Sequence, residues 1–328
     1  MTPRELLDRL WRLGVGVDDG SALAAARAAA DDPAVALELE LFAGWMAVAG
    51  GAALAPVDPA ALPAGAARML ARAIALRAAR NLRDVTAIDA GFAAVDQELG
   101  LLDAADPRGP TARAAVDLAL AEVALMGRDL TAARRCLGRV AASGAPAFRI
   151  AALSRLVTLL LGRADLPTAF TRARQAVNLA EQLERPAQGR EAQLLLGLVA
   201  FLNGDSETTR ASVAGLAGGD AVAPPMLLAG FEPERALAML GDSVQRAAQR
   251  GDLIGYTICT LVGGRCYARI GRRGDALLTA STARGQLLDV APEMVAAIDD
   301  EIDGWRRDWG DQGFQAAERD ARAALERG

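Results

Sequence analysis

The sequence predicts an all-α protein, a right-handed α-solenoid of about five helical hairpins with helical caps at its N- and C-terminal ends. Three observations lead to this prediction. One spacing of small residues occurs five times, apolar residues recur at helical intervals, and no segment shows the alternation typical of a half-buried strand. Since 52% of the residues are hydrophobic and only 4% are aromatic, the core is expected to consist of Leu, Ala and Val.

The repeated spacing starts at a small or apolar residue and continues with residues 3, 7, 12, 16 and 19 positions further on. Copies start at Ala121, Val157, Gly197 and Gly264, and a looser copy starts at Ala75. Small residues at these positions let two antiparallel helices approach closely. Because one pair cannot bury its apolar face alone, neighbouring pairs are expected to stack and share a core.

Residues 1–63 are predicted to form an N-terminal helical cap. Pro3 follows Thr2 at the first helix start, Ser21 is expected to cap the second helix, and Asp32 precedes the third. These signals predict three helices before the first repeat.

The longest apolar run, residues 41–55, is too short to span a bilayer and is interrupted by Gly50 and Gly51. It predicts a buried helix and no membrane insertion. The first helix carries Glu5 and Asp8, so we expect no signal peptide and a cytoplasmic protein.

Residues 64–110 are predicted to hold the loose first repeat and a linker. Helices are expected at 64–81 and 84–103, and the segment 103–110 is rich in Pro, Gly and Asp. This composition predicts a boundary before the better repeats.

Residues 111–285 are predicted to contain the better repeats, with turns at 127–129, 162–165 and 204–205. The gap between the copies at Gly197 and Gly264 is close to two periods, which predicts one degenerate repeat near 215–250.

Residues 286–328 are predicted to form C-terminal capping helices, at about 292–309 and 312–326. Trp305 and Trp309 are four residues apart, so both are expected to face the last repeat.

The small-residue spacing resembles that of tetratricopeptide repeats over about residues 65–285. The best copy consists of Gly264, Tyr267, Gly271, Ala276, Ala280 and Ala283. The turn at Gly204 and Asp205 also fits, whereas the first-helix Trp of the family is absent from every copy. Other solenoids of helical hairpins therefore remain open.

In tetratricopeptide-like repeats the first helix of each pair lines a concave groove, so the resemblance implies a partner-binding surface there. The residues placed in this groove are Leu118, Glu122, Leu125, Ser154, Thr158, Leu161, Leu194, Leu198, Phe201, Leu261, Arg265 and Arg269. The set is mostly apolar with Arg at one end, which fits an amphipathic or extended partner segment with an acidic end. The competing interpretation is that Leu194, Leu198 and Phe201 are core residues.

Composition argues against most enzymes. The chain has no His and no Lys, which excludes an imidazole base, a His metal ligand, a Schiff base and a Walker-type phosphate loop. The three cysteines have no CxxC spacing, and Cys259 and Cys266 share a helix face without a His partner. We therefore expect no catalytic residues, no cofactor and no metal.

Two local patterns suggest other chemistry. Residues 299–303 form a DDxxD pattern, which resembles the Mg²⁺-binding motif of all-helical isoprenoid diphosphate enzymes. The simpler interpretation is a solvated acidic helix face. Arg72, Arg77, Arg80 and Arg83 could likewise form a small basic face for an anion, or serve solubility alone.

The formal net charge is −5 with no basic stripe, so no binding to nucleic acid is expected. The favoured function is that of a protein-binding adaptor or scaffold whose partner is a protein or peptide segment. The alternative is a sensory or regulatory domain that binds a peptide or small ligand in the same groove.

Overall fold

All regular structure in the described part of the chain is helical, which confirms the all-α prediction. The computed structural model describes residues 1–52, 57–100, 102, 105–216, 223–250, 253–288 and 292–326. In order, the α-helices of these residues are α1 Pro3–Leu13, α2 Gly20–Ala28, α3 Pro33–Ala49, α4 Ala66–Leu82, α5 Val85–Leu99, α6 Gly109–Met126, α7 Leu130–Ser143, α8 Pro146–Leu161, α9 Leu166–Gln182, α10 Pro186–Leu202, α11 Ser206–Gly215, α12 Ala223–Leu228, α13 Pro233–Arg250, α14 Leu253–Arg269, α15 Arg273–Leu287 and α16 Pro292–Leu325. Short 3₁₀ helices occur at Val17–Asp19 and Pro59–Ala61. Within the described ranges, no helix combines the length and the apolar character needed to cross a bilayer.

The first and third helices begin where the sequence predicts. The Thr2 hydroxyl accepts a hydrogen bond from Glu5 N at 3.2 Å, and the Glu5 carboxylate accepts one from Thr2 N at 2.7 Å. Asp32 caps α3 by accepting a hydrogen bond from Ala34 N. The prediction that Ser21 caps α2 is wrong, because the turn Val17–Asp19 runs directly into α2 and leaves Ser21 inside its first turn.

One turn geometry recurs between the helices of a pair, and it explains the repeated spacing. The residues at offset 7, Arg128, Ala164, Gly204 and Gly271, all have left-handed backbone angles with φ between 57° and 81°. The next residue donates its N–H to the carbonyl at offset 3, for example Asp129 to Ala124 at 2.8 Å. This bond closes the first helix of each pair in the manner of a Schellman motif.

The predicted start of the loose copy, Ala75, is wrong by one residue, because the structural repeat starts one position later. Its left-handed residue is Arg83, and Ile88 and Val95 of α5 are buried, whereas Ala87 is exposed. The offsets therefore start at residue 76, and the error arises because α5 carries large apolar residues where the other copies carry Ala.

Ala133, Ala169 and Ala276 lie fully buried on α7, α9 and α15, where each packs against the first helix of its pair. Replacing any of them with Leu is expected to overpack the contact and to lower the free energy of unfolding by about 1–3 kcal/mol. Urea unfolding curves measure this loss. Ala87→Leu is the control, because Ala87 is exposed, and equal stability of all four variants would contradict the packing register.

The chain forms two compact units, Met1–Val199 and Ala200–Gly328, and the division falls within α10. In the first unit, the first helices of consecutive pairs pack side by side: α4 against α6 and α6 against α8. The second helices α5, α7 and α9 pack on their partners. This layering gives the first unit one face made of first helices.

The N-terminal helices cover part of this first-helix face. Helix α1 contacts both α6 and α8, and Trp45 of α3 lies 5.3 Å from Phe148 of α8 between ring centroids. In a simple repeat array each pair contacts only its neighbours. The first unit departs from this rule because its N-terminus folds over several pairs.

Residues 11–19, which we call the strap, run across the starts of α6, α8 and α10. The Thr111 hydroxyl of α6 donates a hydrogen bond to the Trp11 carbonyl. Gly14, with φ of 78°, lies against Phe148 of α8, where an added Cβ would sit 3.3 Å from the ring. Asp18 accepts hydrogen bonds from Ala187 N at 2.8 Å and Gln188 N at 3.3 Å, which caps α10.

The second unit has its own core on α15 and α16, which includes Trp305 and Phe314. Helix α16 is interrupted at Gly310, where φ is 67°, so the two predicted C-terminal helices are present as its two halves. Trp305 is buried against α14, because an added Cβ at Gly264 would lie 2.7 Å from its ring. The prediction that this Trp faces the last repeat is therefore confirmed.

Candidate partner-binding pocket

The second unit contains a cavity of about 510 Å³ that is lined by α10, α12, α14 and α16. We call it the tryptophan pocket. Its apolar wall consists of Phe201, Met226, Val262, Trp305 and Trp309. Its polar groups are Arg265, Arg269 and Asp308, and the backbone at Ala229 and Gly230 completes the lining.

Two glycines let aromatic rings lie directly on the backbone of the pocket wall. The rings of Trp305 and Trp309 are stacked 5.5 Å apart and inclined by only 7°, and Trp305 rests on Gly264. On the other side, an added Cβ at Gly230 would lie 2.6 Å from the ring of Phe201. Flat aromatic walls of this kind bind apolar or aromatic groups well.

Arg265 is neutralised within the protein. Its Nε lies 2.9 Å from one oxygen of Glu301 and its Nη2 lies 2.5 Å from the other. The hydrogen bonds with Glu301 raise the pKa of Arg265; burial acts against them, and the charge attraction of Glu301 adds to the rise. Arg265 therefore forms a rigid, charge-balanced rim.

Arg269 is held in position but is not neutralised. Its Nη1 donates to the carbonyls of Ala229 at 3.1 Å and Gly230 at 2.8 Å. Among the described residues it forms no ion pair, and neither does Asp308. Since no described residue accepts a hydrogen bond from Nε or Nη2 of Arg269, these donors can bind a carboxylate beside the aromatic wall.

The nearby thiol does not supply a nucleophile. Burial raises the pKa of Cys266 to about 11, against a smaller opposite effect of Arg269. The thiol is therefore protonated at neutral pH and packs as a small apolar group.

The tryptophan pocket brings together three of the predicted groove residues, Phe201, Arg265 and Arg269. Leu261 lies on the same helix as both arginines but packs against the core of the second unit. The sequence does not predict Met226 and Asp308 as pocket residues, and it predicts only a packing role for the Trp pair. The four-residue spacing of two Trp, in a chain with few aromatic residues, is the sequence feature that could have indicated an aromatic pocket wall.

In the first unit the predicted groove residues are divided between core and surface. Thr158 is exposed, and half-buried positions are Leu125, Leu161, Leu194 and Leu198. Leu118, Glu122 and Ser154 are buried. Placing Leu118, Glu122 and Ser154 on an open surface is therefore a mistake.

Two of these three buried residues have a clear structural role instead. Leu118 belongs to the core of the first unit, which includes residues of α1 and α3. Glu122 is enclosed by three arginines, Arg77, Arg80 and Arg155.

Two of the four carboxylates in residues 299–303, those of Asp299 and Glu301, are engaged in ion pairs. Asp299 accepts a hydrogen bond from Arg284 Nε at 2.6 Å, and Glu301 holds Arg265. Among the described residues no group of three or more Cys, Asp and Glu side chains is arranged to hold a metal ion. The ion pairs favour the interpretation of this pattern as a helix face over that of a diphosphate site.

The four arginines of α4 and its turn do not form one basic face. Arg77 is buried against Glu122, and Arg72 Nη2 lies 2.9 Å from a Glu98 oxygen. The alternative of one small basic face formed by these four arginines is therefore wrong.

No protein-family model matches the sequence, and a comparison with curated proteins finds no relative.

Proposed function

We propose that the protein is an adaptor or scaffold that binds a segment of a partner protein in the tryptophan pocket. The observation that carries this proposal is the meeting of Phe201, Arg265 and Arg269 with two stacked Trp rings around one cavity. An apolar side chain of the partner would contact the rings, and a neighbouring carboxylate would bind Nε and Nη2 of Arg269. The helical pairs would provide the rigid support, as a tetratricopeptide-like right-handed solenoid.

A small-ligand sensor is the second candidate. The cavity volume of about 510 Å³ falls within the range of small-molecule sites, roughly 300–1,000 Å³, and the wall is largely apolar. Native mass spectrometry of the purified protein tests this candidate, because a retained small molecule that is lost in Trp309→Ala would favour it over a partner segment.

Phe201→Ala and Arg269→Gln are each expected to weaken partner binding at least tenfold. For Phe201→Ala we expect a loss of about 2 kcal/mol in binding free energy, which is typical of an interface hot spot. A pull-down from native lysate with the wild-type protein identifies the partner, and calorimetric isotherms then give the affinities. Arg319→Gln is the matched control, because Arg319 is an exposed arginine of α16 outside the pocket.

Melting curves of the same variants separate binding from folding. Arg269→Gln should have the same melting temperature as the wild type, since the Arg269 side chain is exposed. A partner that binds Phe201→Ala and Arg269→Gln as tightly as the wild type would refute the pocket as the binding site.

A further inference from the structure

The first unit contains a cluster of charges that the proposed function does not use. Glu122 of α6 is 3% exposed and Arg77 of α4 is 2% exposed. Arg77 holds both carboxylate oxygens, with Nε 2.7 Å from Oε2 and Nη2 2.5 Å from Oε1. The Arg77 guanidinium also lies over the Trp45 ring, 4.1 Å from its centroid. Arg77 and Glu122 therefore already form a neutral, fully packed pair.

Two further arginines contact the same carboxylate. Arg155 Nη2 of α8 lies 2.5 Å from Oε1, and Arg80 Nη1 lies 3.3 Å from Oε2. Three guanidinium groups around one carboxylate leave an excess of two positive charges. This excess is not needed to neutralise Glu122, and it occurs in a chain whose formal net charge is −5.

The mutual repulsion of these arginines acts on Arg77 as well. Its pKa lies below the ordinary value, mainly because it is buried, and Arg155 and Arg80 add to this effect against the attraction of Glu122. At Arg77 the two further arginines thus act against the attraction of Glu122.

Arg80 and Arg155 face the open edge of the cluster, with side chains that are 25% and 34% exposed. Arg80 donates to Asn81, which is itself fixed by the Val48 carbonyl at 2.9 Å. The Nε of Arg80 is buried without a hydrogen-bond partner among the described residues, and Arg155 has no described polar contact other than Glu122. Because Arg80 Nε is closed off from solvent, the donors left for a ligand at this edge are Nε and Nη1 of Arg155 and the second N–H of each terminal nitrogen of Arg80.

We infer that this edge, formed by Arg80 and Arg155, binds the phosphate group of a small ligand. A phosphate carries a charge of about −1.5 to −2 at neutral pH, which matches the excess of two positive charges. Its three terminal oxygens suit forked guanidinium donors better than a single carboxylate does. The site lies in the first unit and is separate from the tryptophan pocket, so it stands independently of the proposed function.

Calorimetric titration with pyrophosphate, and with inorganic phosphate as a second probe, at constant ionic strength tests this inference. The wild-type protein should bind saturably, and Arg155→Gln should bind at least tenfold more weakly. Arg155→Lys keeps the charge but loses the fork, so it should fall between the two. Arg163→Gln, which removes an exposed arginine just after α8, should bind as the wild type does.

Arg155→Gln is expected to fold, because Glu122 keeps Arg77 and Arg80, and its melting curve checks this. The inference is overturned by the absence of saturable binding, or by equal affinities of the wild type and Arg155→Gln. Binding to vesicles that contain phosphatidic acid without any binding of pyrophosphate would also overturn it, since the cluster would then recognise a membrane surface.

Discussion

Replacing Glu122 with Gln is expected to lower the free energy of unfolding by about 3–5 kcal/mol, the cost of removing one partner from a buried ion pair. Arg77 is almost fully enclosed between Glu122 and the Trp45 ring, so its charge would remain buried without a counterion. The two further arginines would then add repulsion instead of sharing a carboxylate. Urea unfolding at neutral pH measures the loss.

The same group makes stability depend on pH in a definite direction. Burial alone would raise the pKa of Glu122, but the attraction of Arg155 and Arg77, a hydrogen bond from Arg77 and the attraction of Arg80 together outweigh it, and the pKa is lowered. A lowered folded-state pKa stabilises the protein fully above the unfolded pKa near 4.5. This stabilisation is lost as the pH falls through the folded-state pKa.

Unfolding curves between pH 7 and pH 3 should therefore converge for the wild type and Glu122→Gln as the pH falls. Asp8→Asn is the control, because Asp8 pairs with Arg4 on an exposed helix face. A Glu122→Gln protein as stable as the wild type at neutral pH would show that the cluster does not stabilise the fold.

The case of Glu122 shows why the sequence predicts the repeats better than their surfaces. The small-residue offsets and the Asp residues at helix starts are local signals, and they locate α6 to α9 and their turns. Which side of a first helix stays open depends on what folds over it. The covering helices α1 and α3 come from residues about a hundred positions earlier, and no local pattern relates them to α6 and α8.

The tryptophan pocket is likewise predictable only in part, because local spacing places some of its residues and tertiary contacts decide the rest. The four-residue spacing of Arg265 and Arg269 places both on one side of α14, and Phe201 follows from the repeat register. That Arg265 is neutralised by Glu301 while Arg269 binds backbone carbonyls depends on α16 and the turn after α12. Such contacts are tertiary. The sequence alone therefore does not show that Arg265 is neutralised whereas Arg269 keeps donors for a ligand.

Asp19→Asn is expected to be about as damaging as the loss of Glu122, and it tests the strap. The Asp19 carboxylate contacts Arg185, whose side chain is almost completely buried 166 positions later in the chain. Asp19 also accepts a hydrogen bond from Gly16 N at 2.9 Å, which shapes the turn into α2. Arg185 contacts Asp19 through Nη1, and its buried Nε and Nη2 have no hydrogen-bond partner among the described residues, so the substitution would leave a buried guanidinium without a carboxylate.

The expected loss is about 3–5 kcal/mol in the free energy of unfolding, with hydrogen exchange increased along the strap and the start of α10. Arg185→Met removes the charge while keeping a long apolar chain, so Asp19→Asn combined with Arg185→Met should recover part of the stability lost in Asp19→Asn alone. Asp31→Asn, an exposed neighbouring carboxylate, is the control. If the double variant were less stable by the full sum of the two single losses, Asp19 and Arg185 would act independently, and the strap would not be fastened to the first unit by this pair.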